Sequence, residues 1–219
     1  MRVFKFYPAR WAHETLFKRR LKVSPVDELN DPFEYLSLDV GDSDVRAWAS
    51  EFRKTVSQAN GIISFSRNWR QPLLWAHYAD SHRGIALGFD VPDHLLFKIK
   101  YVRNRIKPPS NVDSSPRAME DLINRLLRSK HQEWAYEDEY RLVRPLTNCL
   151  SEDGKYFAPL NETTVLREVI LGARYESADL SELQSSLMGG EGINFQTARA
   201  EFKGFRMTPQ KLARLQKKL

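Results

Sequence analysis

The sequence predicts an α+β fold: a largely antiparallel or mixed central sheet with helices packed around it. Three observations point there. Strand-like runs such as Gly61 to Ser66 and Gly84 to Val91 are interspersed with helical and turn-rich segments. They do not follow the strict strand–helix–strand alternation that a parallel sheet requires. Apolar residues make up 42% of the chain and charged ones 28%, ordinary globular values. The 219 residues suit one domain, read as 1–219, large enough to bury about 70% of its unfolded surface.

Val3 to Tyr7 alternates as a strand, with Phe4 and Phe6 on one side and Val3, Lys5 and Tyr7 on the other. A short helix follows and ends near Arg19-Arg20. Leu21 to Ser24 is a second strand, and Asn30-Asp31-Pro32 a turn. Ser43 to Asn60 is the clearest helix, because Val45, Trp48, Phe52 and Val56 recur on one stripe and Asn60-Gly61 provides a stop. Gly61 to Ser66 is expected to be a central strand. Pro72 opens a short helix through Trp75, His77 and Tyr78. Gly84 to Val91 and Phe97 to Val102 are strands, and Lys107 to Pro116 is a Pro/Ser loop expected to be mobile. Arg117 to Lys130 is helical, with Met119, Leu122, Ile123, Leu126 and Leu127 on one stripe. Glu137 to Val143 and Val165 to Leu171 are strands, and Leu180 to Met188 is a helix ended by Gly189-Gly190. Ile193 to Ala200 and Phe202 to Met207 form a terminal strand pair, and Thr208-Pro209 caps a final basic helix.

The single cysteine, Cys149, excludes an intrachain disulfide and a cysteine-based zinc site, and fits a reducing cytoplasm. No run has the apolar length of a signal peptide or a membrane span, so a soluble, cytoplasmic protein without a membrane partner is expected. The net charge of +6 suits a partner that bears phosphates. Arg103, Arg105 and Lys107, with Tyr101 nearby, would serve either a phosphate groove or a charged edge and loop.

Three stretches place polar residues where packing alone would not. Asn30-Asp31-Pro32-Phe33-Glu34 is a side-chain-bonded turn that could also hold a ligand. Ser64 and Ser66 share one face of an otherwise apolar strand, followed by Trp75, His77, Tyr78 and His82. The five-residue spacing of His77 and His82 does not put both on one helix face, which argues against a helical metal site. In Trp134 to Arg141, a strand would align Glu137, Glu139 and Arg141, either as a salt-bridged ladder or as carboxylates for acid–base work and ribose binding.

Together these stretches resemble the bacterial family catalogued as domain of unknown function 2971. The resemblance is carried by Phe4 to Tyr7, Asn30 to Phe33, Phe65-Ser66, Trp75 to Ala79 with His82 and Gly84, Gly88 to Asp90, Trp134 to Arg141 and Val169 to Gly172. More distantly, the order of features is similar to ADP-ribosyltransferases. That likeness implies NAD as a substrate, held by Lys5, Tyr7 or Arg10 and by Ser64 and Ser66, with Asn30 and Asp31 beside it. It further implies Glu139 against the ribose, Glu137 on the acceptor, His77 in the catalytic set, and Trp75, Tyr78 or Tyr136 stacked on nicotinamide. Arginine or histidine is usual at the first position, where this chain has Lys5 or Tyr7. The acceptor would be a nucleic acid or a protein, as in a toxin or phage-defence effector. Two further readings stand beside this one. In the first, a nucleic-acid-binding or nuclease module gathers Asp31, His77, Glu137 and Glu139 around Mg²⁺ or uses them without a metal. In the second, the same residues form a non-catalytic polar network in an interaction domain.

Overall fold

The structure, a computed structural model, describes residues 1–33, 37–107, 115–176, 183 and 192–210. In chain order these form β1 (Arg2–Tyr7), α1 (Ala9–Phe17), β2 (Arg20–Pro25), α2 (Ser43–Ala59), β3 (Asn60–Ser66), α3 (Pro72–Tyr78), β4 (Ile85–Asp90), β5 (Leu96–Lys98) and β6 (Lys100–Val102). There follow α4 (Pro116–Leu127), β7 (Ser129–His131), β8 (Glu139–Pro145), β9 (Leu150–Glu152), β10 (Lys155–Pro159), β11 (Val165–Leu171), β12 (Asn194–Ala200) and β13 (Met207–Pro209).

The large sheet has the order β13-β12-β11-β4-β1-β3-β2-β10-β9, with β8 on β3 and β5 on β8. Its ladders are antiparallel except β11 with β12. β6 and β7 form a separate parallel ribbon. The α+β class with a mixed, mostly antiparallel sheet is therefore the observed one. One core packs Val3, Leu16, Val23, Ile63, Phe65, Leu87, Leu142 and Val169 against each other. On the opposite side Phe4, Trp69, Trp75, Ala86 and Ile170 form a second cluster. Trp75 is fully buried, and its indole N–H donates to the Trp69 carbonyl at 2.6 Å.

α2 forms where the apolar period places it. Asp42 caps it by accepting from the Asp44 and Val45 amides. Val45, Trp48 and Phe52 pack on Leu38, Ile106, Leu122 and Leu126. α3 starts at Pro72 and ends in three successive left-handed residues, Asp80, Ser81 and His82. The turn is held by backbone bonds to Ala76, Trp75 and Ala79, and it returns the chain so close to β1 that a side chain at Gly84 would meet the Tyr7 carbonyl.

Several boundaries differ from expectation. The run 97–102 breaks at Ile99 into β5 and β6, which join different sheets. α4 stops at Leu127, so Lys130 lies in a strand. β8 begins at Glu139, because Gln132–Glu137 is a 3₁₀ helix and Asp138 is left-handed at φ 41°. Residues 202–206 are bent, with Phe202 and Phe205 exposed, and Thr208-Pro209 belong to β13. The expected loop beyond Lys107, the helix at 180–188 except for the buried Leu183, the terminal helix and Glu34 lie outside the described residues. Among the described residues no helix is long and apolar enough to cross a membrane.

Candidate active site

The site originates in a split in the sheet. One edge of β3 pairs with β8 along its whole length, from Asn60↔Pro145 to Ser66↔Glu139. The other edge is shared. β1 meets it at Phe4↔Ser66, and β2 meets it at Ser24↔Ile62 and Pro25↔Gly61, leaving Ile63 to Phe65 unladdered on that side. Into this gap the Lys5 ammonium donates a hydrogen bond to the Ser64 carbonyl at 3.2 Å. Above the gap is a cavity of about 260 Å³ lined by Ser64, Ser66, Tyr78, Lys130, Glu137 and Glu139, with Asn30 and Lys5 at its margins.

The two glutamates reach the cavity by different routes and have different surroundings. Glu139 stands on β8, directly across from Ser66. Arg141, two residues on and on the same face, grips it with Nε to Oε1 at 2.8 Å and Nη2 to Oε2 at 3.0 Å. Lys130 adds a bond at 3.3 Å, and the nearby Ser64 hydroxyl helps to lower its pKa. Three of the four acceptor positions of the carboxylate are thereby taken. Burial acts to raise its pKa, but Arg141 and Lys130 prevail and hold it down to about 2.

Glu137 hangs from the 3₁₀ helix, and the left-handed Asp138 brings it to the same cavity. It accepts one bond per oxygen, from Tyr78 at 2.5 Å and Lys130 at 2.6 Å, which leaves acceptor positions for a ligand. Burial raises its pKa, and Glu139 adds to that shift, against the pull of Lys130. Burial likewise lowers the Lys5 ammonium to about 8, against the pull of Glu139. Lys130, itself only 5% exposed, is the hub that both carboxylates share.

A second cavity of about 960 Å³ continues outward and shares Lys5, Phe6, Ser24 and Tyr78 with the first. Lys18, Arg20, Lys22 and Lys155 line it, together with Trp11 and Phe157. The cations are partly neutralised: Lys18 and Arg20 bridge to Glu14 and Glu152, and Lys22 to Glu28.

Of the residues expected at the site, Lys5, Asn30, Ser64, Ser66, Tyr78, Glu137 and Glu139 line the inner cavity. Tyr7 and His77 line the outer one. Tyr136 sits at the rim, with its hydroxyl 2.8 Å from His77 Nδ1. Ser66 also serves its own turn, since its hydroxyl accepts from the Asn68 amide and donates to the Asn68 carbonyl. Three expectations are corrected. Trp75 is core, out of reach of any ligand ring, because helix α3 turns it under the sheet against Phe6. Arg10 is exposed on α1, 4.4 Å over the Trp11 ring, and borders neither cavity. Asp31 is buried facing a different, neighbouring cavity, and its carboxylate accepts from the Phe33 amide as a turn residue does. Asp31, His77 and the glutamates therefore do not gather around one point, and no group of three metal-ligating side chains exists among the described residues. Sequence reasoning missed Lys130, which helical periodicity absorbed into α4, and the cations of β2 and β10, which read as surface charge.

Fold and site together define an α+β protein with a cleft at a split in its sheet, floored by serines and walled by a buried carboxylate–ammonium cluster. Residues 74–142, from α3 through both glutamates into β8, match the model of a family described as protein of unknown function (DUF2971). No curated protein and no solved structure matches the chain, and nothing in these comparisons supports the likeness to ADP-ribosyltransferases.

Proposed function

We propose that the cleft binds a nucleotide bearing ribose and phosphate, NAD foremost, and breaks its N-glycosidic bond to pass ADP-ribose to a macromolecular acceptor. The observation that carries this reading is Glu137, a carboxylate on the cavity wall with acceptor positions to spare, next to a second carboxylate that three cationic donors hold. Departure of nicotinamide with the bonding electron pair leaves positive charge on the ribose, as in glycoside cleavage. A carboxylate fixed against the ribose hydroxyls stabilises that charge. Glu137 takes this role, which the sequence reading gave to Glu139, and Glu139 holds Lys130 and Arg141 in place; the acceptor role read for Glu137 falls to His77. The acceptor's lone pair then forms the new bond to the ribose carbon, and its proton passes to His77 at the rim. The outer cavity, with Lys18, Lys22 and Lys155, suits the diphosphate. Its volume of about 960 Å³ falls in the range of small-molecule sites, about 300–1,000 Å³.

The test is nicotinamide release from NAD by wild type and by Glu137→Gln, with melting temperature measured in parallel. Wild type should release nicotinamide and be stabilised by NAD. The variant should lose about 10²–10³ in rate while melting close to wild type. Absence of both release and thermal shift in wild type refutes the NAD reading.

One observation favours a second reading, a non-catalytic polar network: the bidentate Glu139–Arg141 pair is nearly solvent-free, at 5% and 2% exposure. On that reading Glu137→Gln destabilises the protein and no nucleotide binds.

A further inference from the structure

Beside the cleft lies a cavity that the proposed chemistry does not use. Its volume is about 510 Å³, and Phe33, Arg103, Arg105, His131 and Trp134 line it with Asp31 at its base. Phe33 is 56% exposed, far more than a core phenylalanine, and Arg105 lies over its ring at 5.5 Å. Arg103 is exposed, and its Nε donates to Gln132, a neutral partner. Among the described residues no carboxylate forms an ion pair with Arg103 or Arg105. Flat aromatic faces interleaved with solvent-facing guanidinium groups are the chemistry that takes up unstacked bases and their phosphates.

This cavity and the cleft share their walls. Asn30 lines the cleft, and its neighbour Asp31 lines the second cavity. Lys130, the hub of the carboxylate cluster, has its ammonium 4.8 Å from the Trp134 ring. From Trp134 the aromatic surface runs to Tyr136 at 6.0 Å, then to His77 at 5.8 Å, on the rim of the outer cavity.

We propose that this cavity binds single-stranded nucleic acid: one base rests against Phe33 and Trp134, Arg103 and Arg105 hold the adjoining phosphates, and the strand runs along Tyr136 and His77 to the cleft. The buried Asp31 carboxylate at the base suits an exocyclic amino group of the base. A duplex hides the faces of its bases, so it cannot use the aromatic walls. The chain's net charge of +6 agrees with a polyanionic partner. The inference rests on the proposed function only in naming the strand as acceptor; strand binding does not require it.

The experiment is fluorescence anisotropy with labelled single strands of about 12 nucleotides, in DNA and RNA arms, and with the matching duplex, at about 50 and 200 mM salt. Either single strand should bind more tightly than the duplex. Phe33→Ala, at an exposed position where truncation spares the fold, should weaken binding about tenfold and leave the salt dependence as it was. Arg105→Ala should weaken it and lower the salt slope by about one. Strand binding is read in the absence of NAD, so a protein that fails to cleave NAD still tests the site. No binding by wild type, equal binding of duplex, or wild-type binding by both cavity variants with unchanged melting temperatures overturns the proposal.

Discussion

The two faces of the β3–β8 ladder are built from alternating residues of the same short segments, yet they are chemically opposite. Ile63, Phe65, Tyr140 and Leu142 turn to one side and pack into hydrocarbon. Ser64, Ser66, Glu139 and Arg141 turn to the other, which is largely buried beneath the cleft, and form an ionic layer with Lys130 and Glu137. A hydrocarbon layer stabilises by about 25 cal/mol for each Å² removed from water. A buried ion layer does not: desolvation offsets most of the attraction, and well-packed apolar replacements are often as stable. The second face is therefore poorly explained by stability. Its position over the split in the sheet, where the backbone ladder is open, is what a ligand site requires.

The sharpest way to break that contrast is to remove one partner of the pair. Arg141→Met strands Glu139 in a solvent-free position and should cost about 3–5 kcal/mol in urea denaturation, as much as a severe cavity mutation such as Leu142→Ala on the apolar face, about 2–5 kcal/mol. Replacing both, Glu139→Leu with Arg141→Met, should recover most of the loss, because no uncompensated charge remains. Leu142→Ala has no comparable rescue. If the double variant stays as unstable as Arg141→Met, the ionic face is structural in its own right, and the contrast drawn here fails.

Acid should discriminate between the faces next. The folded-state value of Glu139 lies at about 2, below its ordinary 4.5. Its ionised form therefore contributes stability above about pH 4.5, and that contribution is lost as pH falls through 2. Unfolding free energy should drop across this window in wild type and drop less steeply in Glu139→Gln. Leu142→Ala should keep the wild-type slope at a lower overall stability.

Much of the apolar face was legible in the sequence, and little of the ionic one. The alternation of Gly61 to Ser66 and the stripe of α2 report burial through a fixed period, and both elements fall within a residue or two of expectation. The serine pair and the Glu137–Glu139 pair were likewise legible as polar residues in a strand-like setting. Their roles were not, because these depend on Lys130, and nothing in local periodicity shows that α4 ends three residues before it. The strand expected at 137–143 starts late because the left-handed Asp138 breaks it, and this break is what aims Glu137 and Glu139 at one cavity from different elements. The β9–β10 hairpin passed unread although Asp153-Gly154, both at positive φ, is a strong turn signal. β9 is exposed along its length and the Tyr156-Phe157-Ala158 run of β10 is continuous, so no alternation marked them.

The smallest expected effect falls on Ser64, and it separates support of the cluster from contact with a ligand. The Ser64 hydroxyl helps to lower the pKa of Glu139, while its carbonyl receives Lys5. Ser64→Ala removes the hydroxyl and keeps the carbonyl bond, because the backbone is unchanged. Losing one hydroxyl beside a carboxylate that retains Arg141 and Lys130 should cost about 1 kcal/mol or less in denaturation. If the serine only steadies Glu139, NAD affinity in the variant should follow wild type once both proteins are fully folded. If its hydroxyl also meets the ribose, affinity should fall by about fivefold or more at the same fraction folded, since 1 kcal/mol of lost contact corresponds to that factor. The second result adds Ser64 to the ribose contact that Glu137 makes. The first would leave Ser64 to the ionic layer alone and shift ligand contact to Glu137 and Tyr78.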